Sequence, residues 1–216
     1  MWSTYYGISA VSLEDAFVGA AGSGLIKKML AMLDDGVDIN SRDSVWKITA
    51  LGAAASLGKT QIMKILIKRG AKLDLVNGDN LTPLMCACNF GKAKGSQAAM
   101  LLIEAGADVT YVRKGDEMTA LKVAVSSCTP ALLQALIDHG AEVDGPAGTS
   151  QTAFMLAARA NHVVALEVLL RNGTDPSRKC MLPWANGCTA LGLAELEKRR
   201  DAIKFLKSLQ ARKALN

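Results

Sequence analysis

Aromatic residues are scarce in this chain: only 5% of its residues are Phe, Trp or Tyr, although half of the residues are hydrophobic. Alanine and leucine supply much of the apolar content instead. Strands are typically rich in aromatic and β-branched residues, so this composition favours closely packed helices over a β-sandwich. The 216 residues are enough for one domain with a substantial core.

Histidine is also scarce, with two residues in the whole chain. His139 directly precedes Gly140 and is expected at the exposed end of a helix. His162 follows Asn161 at a turn, where a solvated or capping role is expected. Catalysis needs a nucleophile beside a base, or paired titratable groups in a pocket, and a metal site needs several ligands at fixed spacing. We find no such set, so the sequence predicts no enzyme, metal, cofactor or small-molecule substrate.

Long apolar runs are absent too, and none approaches the ~18 residues that a membrane span requires. The first ten residues, MWSTYYGISA, have neither the basic start nor the apolar core of a secretion signal. Two locations stay open on this evidence. The protein is cytoplasmic if Met1 is its native start, and periplasmic or secreted if a signal peptide has been removed.

Cysteine occurs in an odd number, at positions 86, 88, 128, 180 and 188, which fits no complete disulfide framework. Cys86 and Cys88 are interpreted as small apolar residues. Cys180 and Cys188 flank a loop and could meet across a hairpin. A disulfide between them, which would suit an oxidising compartment, and a pair of free thiols are equally open interpretations.

The net charge is +5, and the basic excess gathers near the C-terminus, from Lys198 to Lys213. A solvated outer face on the last helix is the favoured interpretation, because a run of charges usually marks a solvent-facing helix surface. A patch for an acidic partner is the alternative. Nucleic acid is the least favoured partner, since it rests on this modest charge alone.

A recurring motif occupies most of the chain. Its clearest copy runs from Asn80 to Asp108, opening with Thr82-Pro83-Leu84 and closing with Gly106-Ala107-Asp108. Thr-Ala-Leu recurs at Thr49, Thr119 and Thr189, and Thr-Ala-Phe at Thr152. The glycines that end each copy are Gly36, Gly70, Gly106, Gly140 and Gly173, at spacings of 34, 36, 34 and 33. This period and content resemble the ankyrin repeat.

The resemblance implies an all-α solenoid of about six stacked helix–turn–helix units, in a small stand-alone protein of bacterial origin. The loops between units project as hairpin-like fingers, called finger loops below. We expect a lead-in at 1–12, a single domain at 13–210 and a basic tail at 211–216. The units are 13–40, 41–76, 77–110, 111–144, 145–176 and 177–210, of which the outer two are caps. The rings of Trp2, Tyr5 and Tyr6 are candidates to cover the exposed end of the stack.

In the family, the finger loops and first helices line a concave face that binds another protein. The resemblance therefore implies a protein partner on this face, with the chain itself a monomer. The residues just before each Thr motif, those before each turn glycine and selected loop residues are the candidate contacts. They are Trp46, Lys47, Asp79, Asn80, Phe90, Tyr111, Arg113, Lys114, Met118, Gln151, Arg159, Met181 and Trp184.

Large aromatic residues head this set because binding hot spots favour Trp, Tyr and Arg. For Trp46 and Trp184 the alternative is packing against a neighbouring finger loop, and for Phe90 it is partial burial in the core. Two insertions also mark candidate working regions. One is 92–96, expected as a basic, flexible turn or a tolerated surface insertion, and the other is the enlarged loop 177–186 with Trp184 near its end.

The sequence thus predicts a protein-binding module that masks or regulates one partner, with an enzyme such as a hydrolase as the leading candidate. Insertion of the 177–186 loop into an active-site cleft would inhibit such an enzyme directly. The alternative is a scaffold or host-directed effector that bridges two proteins.

Overall fold

The computed structural model describes residues 12–90, 92–126, 129–146 and 148–214, without the side chains of 92 and 212–214. These residues form twelve α-helices and one short 3-10 turn. The helices are α1 Leu13–Ser23, α2 Ile26–Asp34, α3 Ala50–Ser56, α4 Thr60–Lys68, α5 Pro83–Asn89, α6 Lys92–Glu104, α7 Ala120–Ala124, α8 Pro130–Asp138, α9 Ala153–Arg159, α10 Val163–Arg171, α11 Ala190–Leu196 and α12 Arg200–Ala214. The predicted all-α architecture is confirmed.

The helices alternate between two layers. The first helices of consecutive units pack in a row, α1 on α3, α3 on α5, α5 on α7, α7 on α9 and α9 on α11. From α4 to α12, the second helices pack in a parallel row behind them. Each unit shares its core with its neighbours, because the apolar residues of one helix pair cannot be buried within that pair.

Threonine begins most of the first helices. The hydroxyl oxygens of Thr49, Thr82, Thr119 and Thr152 each accept a hydrogen bond from the backbone N–H three residues on, at 3.1 to 3.3 Å. This bond satisfies one of the donors left open at a helix start. Thr189 stands at the same place before α11 but makes no such bond.

Glycine ends the second helices. The five repeat glycines, Gly36 to Gly173, have φ between 85° and 101°, the left-handed conformation that glycine adopts without steric cost. Asn161 takes the same conformation at the turn between α9 and α10, with φ of 57°.

Alanines at the centre of the first helices let the rows approach closely. Ala21, Ala54, Ala87, Ala124 and Ala157 are all fully buried. Larger apolar side chains such as Phe17, Leu51 and Phe154 fill the space between the rows.

Residues 92–96 are not the flexible turn that was expected. They form the first turns of α6, which has 13 residues where α4, α8 and α10 have nine each. Lys and Ala are strong helix formers, and Gly95 fits because a Cβ there would lie 2.5 Å from the carbonyl oxygen of Ala87. The inserted residues therefore lengthen a helix that packs tightly on α5.

The C-terminal boundary also differs from the expectation. Helix α12 continues to Ala214, into the predicted tail. The lead-in with Trp2, Tyr5 and Tyr6, and the altered turn at Cys128, lie outside the described residues. The division into units remains a prediction; the first five helix pairs each lie within one predicted unit, and the sixth extends beyond residue 210.

Candidate protein-binding surface

Four of the five finger loops are closed at the base by a backbone hydrogen bond. In these four loops the closing bond runs from Asp43 N–H to Ile48 O, Asn77 N–H to Leu81 O, Arg113 N–H to Met118 O, and Cys180 N–H to Cys188 O, at 2.8 to 3.0 Å. The side chains of Asp43 and Asn77 also accept bonds from backbone N–H groups inside their own loops. The sequence analysis missed this role, although an Asp or Asn five or six residues before the Thr motif marks it.

The finger loops are also bonded to one another. Gly78 donates its N–H to the carbonyl of Trp46, and Met181 donates to that of Ser150, both at 2.8 Å. The N–H of Ser150 in turn donates to the Glu117 carboxylate at 2.9 Å. These bonds join the first loop to the second, and the third to the fourth and fifth. The finger loops therefore form a row of two bonded groups, the first two loops and the last three.

The three aromatic residues that head the predicted contact set are exposed, and so is Met181. The exposed fractions are 53% for Trp46, 40% for Phe90, 71% for Met181 and 54% for Trp184. Phe90 also packs on the preceding unit, since a Cβ at Gly58 would lie 3.0 Å from its ring. Isolated exposed apolar residues are common, so the neighbours of each residue decide its significance.

Trp184 has the most organised surroundings of the four. The guanidinium carbon of Arg159 lies 4.9 Å from the centre of its ring, within the range of a cation–π interaction. Arg159 also donates from Nε to Glu197 at 2.5 Å and from Nη1 to the Gln151 side-chain oxygen at 3.5 Å. Three predicted contacts, Gln151, Arg159 and Trp184, are thus brought together.

Glu197 belongs to this group but was missed by the sequence analysis. It lies in the next unit, 38 residues after Arg159, and follows the last residue of α11 just as Arg159 ends α9. Burial disfavours its charged form, but the hydrogen bonds from Arg159 and Arg199 outweigh this and lower the pKa of Glu197. The carboxylate therefore stays charged and fixes the guanidinium against Trp184.

The middle of the row is more polar and internally paired. Arg113 donates through two nitrogens to Asp116 in the same loop, and this bond lowers the pKa of Asp116. Arg113 and Met118 border a depression of about 280 Å³ between the third and fifth units. Tyr111 and Met118 are half-buried against the core, whereas Lys114 is exposed.

The remaining predicted contacts stand at the loop tips. Lys47, Asp79 and Asn80 are exposed, and Lys47 and Asn80 have φ of 50° and 57°. Glu117 takes the equivalent conformation, with φ of 56°. This conformation turns the backbone of each loop back toward the Thr motif that follows it.

Lys122, the residue after Thr119-Ala120-Leu121, supports the loop tip at Glu117. Only 4% of Lys122 is exposed, and its Nζ donates to the Glu117 carbonyl at 2.8 Å. Burial lowers the pKa of this lysine, although the nearby carboxylates of Glu117 and Asp116 oppose the shift. The lysine thus has a local hydrogen-bonding role under the finger loop.

The two histidines have structural partners. The Nδ1 of His139 lies 2.8 Å from the carbonyl of Ala135 at the end of α8. The Nδ1 of His162 lies 2.8 Å from the carbonyl of Val125 in the preceding unit. His162 therefore ties two units together and does not cap α10 with its side chain.

Cys180 and Cys188 are both free thiols in the structure, joined through the backbone bond at the base of the last finger loop. The disulfide between them stays a prediction. Thiol titration of the folded protein tests it, because five titratable thiols would exclude the bridge.

The described residues contain no group of three or more His, Cys, Asp or Glu side chains placed to hold a metal ion. Among the helices that the structure describes, none is long and apolar enough to span a membrane.

The family model for ankyrin repeats matches the chain in three overlapping copies, over residues 17–113, 92–180 and 121–216. The chain belongs to the ankyrin-repeat family. Repeats of this family are non-catalytic modules that mediate protein–protein interaction, which confirms the predicted class of function.

Relatives of this chain occur in proteins of many kinds. It is 30% identical over 183 residues to the human SH3 and multiple ankyrin repeat domains protein 2, covering 84% of this chain and 10% of that protein. It is 30% identical over 193 residues to the palmitoyltransferase Hip14 of Drosophila melanogaster, covering 88% of this chain and 29% of that protein. A putative ankyrin repeat-containing protein of Treponema pallidum is 33% identical over 129 residues, covering 59% of this chain and 42% of that protein. The chain spans less than half of each relative, and the palmitoyltransferase matches through its repeats.

A solved structure with a similar fold is the complex of the predatory endopeptidase Bd0816 from Bdellovibrio bacteriovorus with the immunity protein Bd3460. A chain of this complex superimposes with a TM-score of 0.78 at 24% identity, covering 92% of our chain and 99% of that chain. At this identity the likeness establishes the shared fold.

Proposed function

We propose that this chain binds a hydrolase through the concave face of its solenoid and inhibits it, with the last finger loop entering the active-site cleft. The observation that carries the proposal is Trp184, half exposed on the enlarged loop and held by Arg159. The proposal gives the chain no catalytic role of its own.

The fixed arrangement of Trp184, Arg159, Glu197 and Gln151 favours tight binding. Arg159 is fixed by Glu197 and Gln151 before any partner arrives, so less side-chain entropy is lost when a partner covers the ring of Trp184. Trp and Arg are also the residues most enriched in binding hot spots. Exposed Met181, three residues earlier, adds an adaptable apolar contact.

The solved complex supports the enzyme partner. There a similar fold occurs in an assembly of an endopeptidase with an immunity protein. The loop 177–186 carries Trp184 on a short 3-10 helix, Pro183–Ala185, and is the segment that we expect to enter the cleft.

The partner can be identified by site-directed cross-linking. A photo-reactive amino acid at position 181, in the last finger loop, is expected to capture the partner from its native cells. The same group at Val164, exposed on the second helix α10, is the matched control. The purified partner is then assayed for hydrolysis with increasing amounts of this chain. If the partner remains fully active when saturated, the inhibition proposal is wrong, and a ternary complex with a second protein would instead favour a scaffold.

Trp184→Ala is expected to weaken binding to this partner by about 2 kcal/mol, roughly thirtyfold in Kd, because it removes a hot-spot ring. Val164→Ala is the control and is expected to leave Kd unchanged. Isothermal titration calorimetry measures both. Equal affinities for Trp184→Ala and the unmodified chain would place the interface elsewhere.

A further inference from the structure

The net positive charge of the chain comes from its last part. Residues 177–216 contain nine basic and three acidic residues, whereas residues 1–176 contain 16 basic and 17 acidic residues. The sixth predicted unit and the finger loop that opens it therefore carry the whole basic excess.

The acidic side chains of this region are already bonded within the protein. Glu195 forms an ion pair with Lys207 at 2.9 Å, and Asp201 accepts a hydrogen bond from Asn161 at 2.8 Å. Glu197 accepts bonds from two arginines. Four exposed basic residues, by contrast, form no ion pair with the part of the chain that the structure describes: Lys179, Lys198, Arg200 and Lys204.

An exposed leucine lies among these cations. The seven-residue helices α3, α5 and α9 end at polar residues, which are Ser56, Asn89 and Arg159. Helix α11 has the same length but ends at Leu196, whose side chain is 60% exposed. The sequence analysis did not name this leucine. It directly precedes Glu197, and so borders the residues that hold Trp184.

Basic residues follow this leucine in the turn between α11 and α12. Lys198, Arg199 and Arg200 are all exposed, and Lys198 has φ of 56°, the conformation in which the chain turns into α12. Protein interfaces commonly have an apolar centre and a polar rim. Leu196 and the three cations have this arrangement on a small scale.

Arg159 links this turn to the last finger loop. Its guanidinium carbon lies 4.9 Å from the centre of the Trp184 ring, and its Nε donates to Glu197 at 2.5 Å. A partner that covers the ring of Trp184 therefore comes close to the turn at 196–200.

We propose that residues 196–200 form a second contact for the partner that covers Trp184, and that this partner presents an acidic protein surface with an apolar side chain at its centre. Carboxylates of the partner complement the unpaired cations, which steers association and fixes the register of the two proteins. Leu196 gains free energy when an apolar side chain covers it. The proposal rests on the proposed function in requiring a protein partner at Trp184, but it does not require that partner to be inhibited.

Two acidic polypeptides of known composition test the chemistry of this surface. Poly-L-glutamate carries carboxylates alone, and a copolymer of glutamate and tyrosine adds aromatic rings. Each is labelled with a fluorophore, and its affinity for the full chain is measured by fluorescence anisotropy at low salt. We expect the copolymer to bind several-fold more tightly, because its rings can cover Leu196.

The double variant Lys198→Glu, Arg200→Glu is expected to weaken the binding of both polymers about tenfold, because it reverses the charge of the turn. Lys198→Glu suits the backbone, since Glu117 has the same φ of 56°. The matched control is Lys64→Glu, Lys68→Glu, at exposed positions of α4. Each double variant lowers the net charge from +5 to +1, but the control should weaken binding far less.

Leu196→Ser should remove the added affinity of the copolymer and leave that of poly-L-glutamate unchanged. Circular dichroism checks the fold of each variant, and Lys198→Gln with Arg200→Gln replaces the charge reversal if that variant unfolds. Three outcomes overturn the proposal: equal losses in the turn variant and its control, an advantage of the copolymer that survives Leu196→Ser, or tighter binding of single-stranded DNA than of the copolymer, which would assign the surface to nucleic acid.

The partner captured at position 181 then shows whether it uses this surface. Lys198→Glu, Arg200→Glu should slow its association about tenfold at low salt and less at high salt, because salt screens exposed charges. Stopped-flow mixing measures this rate whether or not the partner is an enzyme. An unchanged rate would overturn the second contact, whereas a partner that associates more slowly with the variant but remains active when saturated would overturn only the inhibition.

Discussion

Single side chains hold neighbouring units in register at the edges of this solenoid. Asp15 reaches Ser44 from the first unit to the second, His162 reaches Val125 from the fifth to the fourth, and Arg159 reaches Glu197 from the fifth to the sixth. Each contact spans about one repeat length in the sequence. A hydrogen bond to a charged group contributes about 1.5 to 3 kcal/mol, so the contacts of Asp15 and Arg159 are expected to have a measurable effect on stability.

Asp15→Asn is expected to lower the free energy of unfolding at neutral pH by about 1 to 3 kcal/mol, because the Ser44 N–H then loses its charged acceptor. That backbone bond is the main reason why the pKa of Asp15 is lowered in the folded protein. A lowered folded pKa gives stability that is present above the unfolded value, ~3.9, and is lost as the pH falls through the folded value.

Urea unfolding at a series of pH values measures the difference between Asp15→Asn and the unmodified protein. The difference should shrink below about pH 4. A difference that stays constant down to pH 2 would contradict the assigned role.

At the scale of the helix, α6 shows how a glycine can serve packing. Glycine in a helix interior normally costs about 0.5 to 1 kcal/mol relative to alanine. Gly95 lies on the buried side of α6, where a Cβ would meet the Ala87 carbonyl at 2.5 Å. Gly19 lies on the exposed side of α1, where no atom of the described residues lies within 4 Å of a Cβ. The same substitution should therefore act in opposite directions at the two sites.

Gly95→Ala is expected to destabilise the protein by about 1 to 3 kcal/mol, since α6 must move away from α5. Gly19→Ala is its control and is expected to stabilise by about 0.5 to 1 kcal/mol. Thermal and urea unfolding of the two variants measure both effects. Stabilisation by Gly95→Ala would show that the close approach of α6 to α5 is not required.

The elements that depend on local chemistry were predictable from the sequence. Thr82 and Pro83 predict the start of a helix, and the glycines from Gly36 to Gly173 predict the ends of the second helices. Residues 92–96 were assigned wrongly because two nearby glycines suggest a turn, and only the position of the Ala87 carbonyl explains Gly95. The contact set is harder to predict than the helix ends. Glu197 contacts Arg159 from the next unit, and no local sequence pattern shows that these two side chains lie close together.

The whole molecule is a stack in which each unit is stabilised by packing against its neighbours. In such a quasi-one-dimensional fold, the free energy of unfolding is approximately the sum of the stabilities of the single units and of the interfaces between neighbouring units. A defect at an end then disturbs one interface, whereas a defect in the middle disturbs two. Leu84 in α5 and Leu193 in α11 are both fully buried and offer a matched pair.

Leu193→Ala and Leu84→Ala should each cost about 2 to 5 kcal/mol locally. For Leu193→Ala, hydrogen exchange is expected to accelerate mainly in α11 and α12. For Leu84→Ala, it should accelerate in the units on both sides of α5. Hydrogen exchange with mass spectrometry resolves the two patterns. Uniform acceleration along the chain in both variants would indicate a single cooperative unit instead.

The finger loops are joined through main-chain atoms, from Gly78 to Trp46 and from Met181 to Ser150. Since peptide groups are common to all residues, replacing the side chain of Trp46 or Met181 leaves these joints in place. Natural selection can therefore exchange the outward side chains one at a time while the loops keep their spacing. A lineage carrying this protein can therefore keep binding a partner protein whose surface changes, or acquire a new partner, without first changing the solenoid.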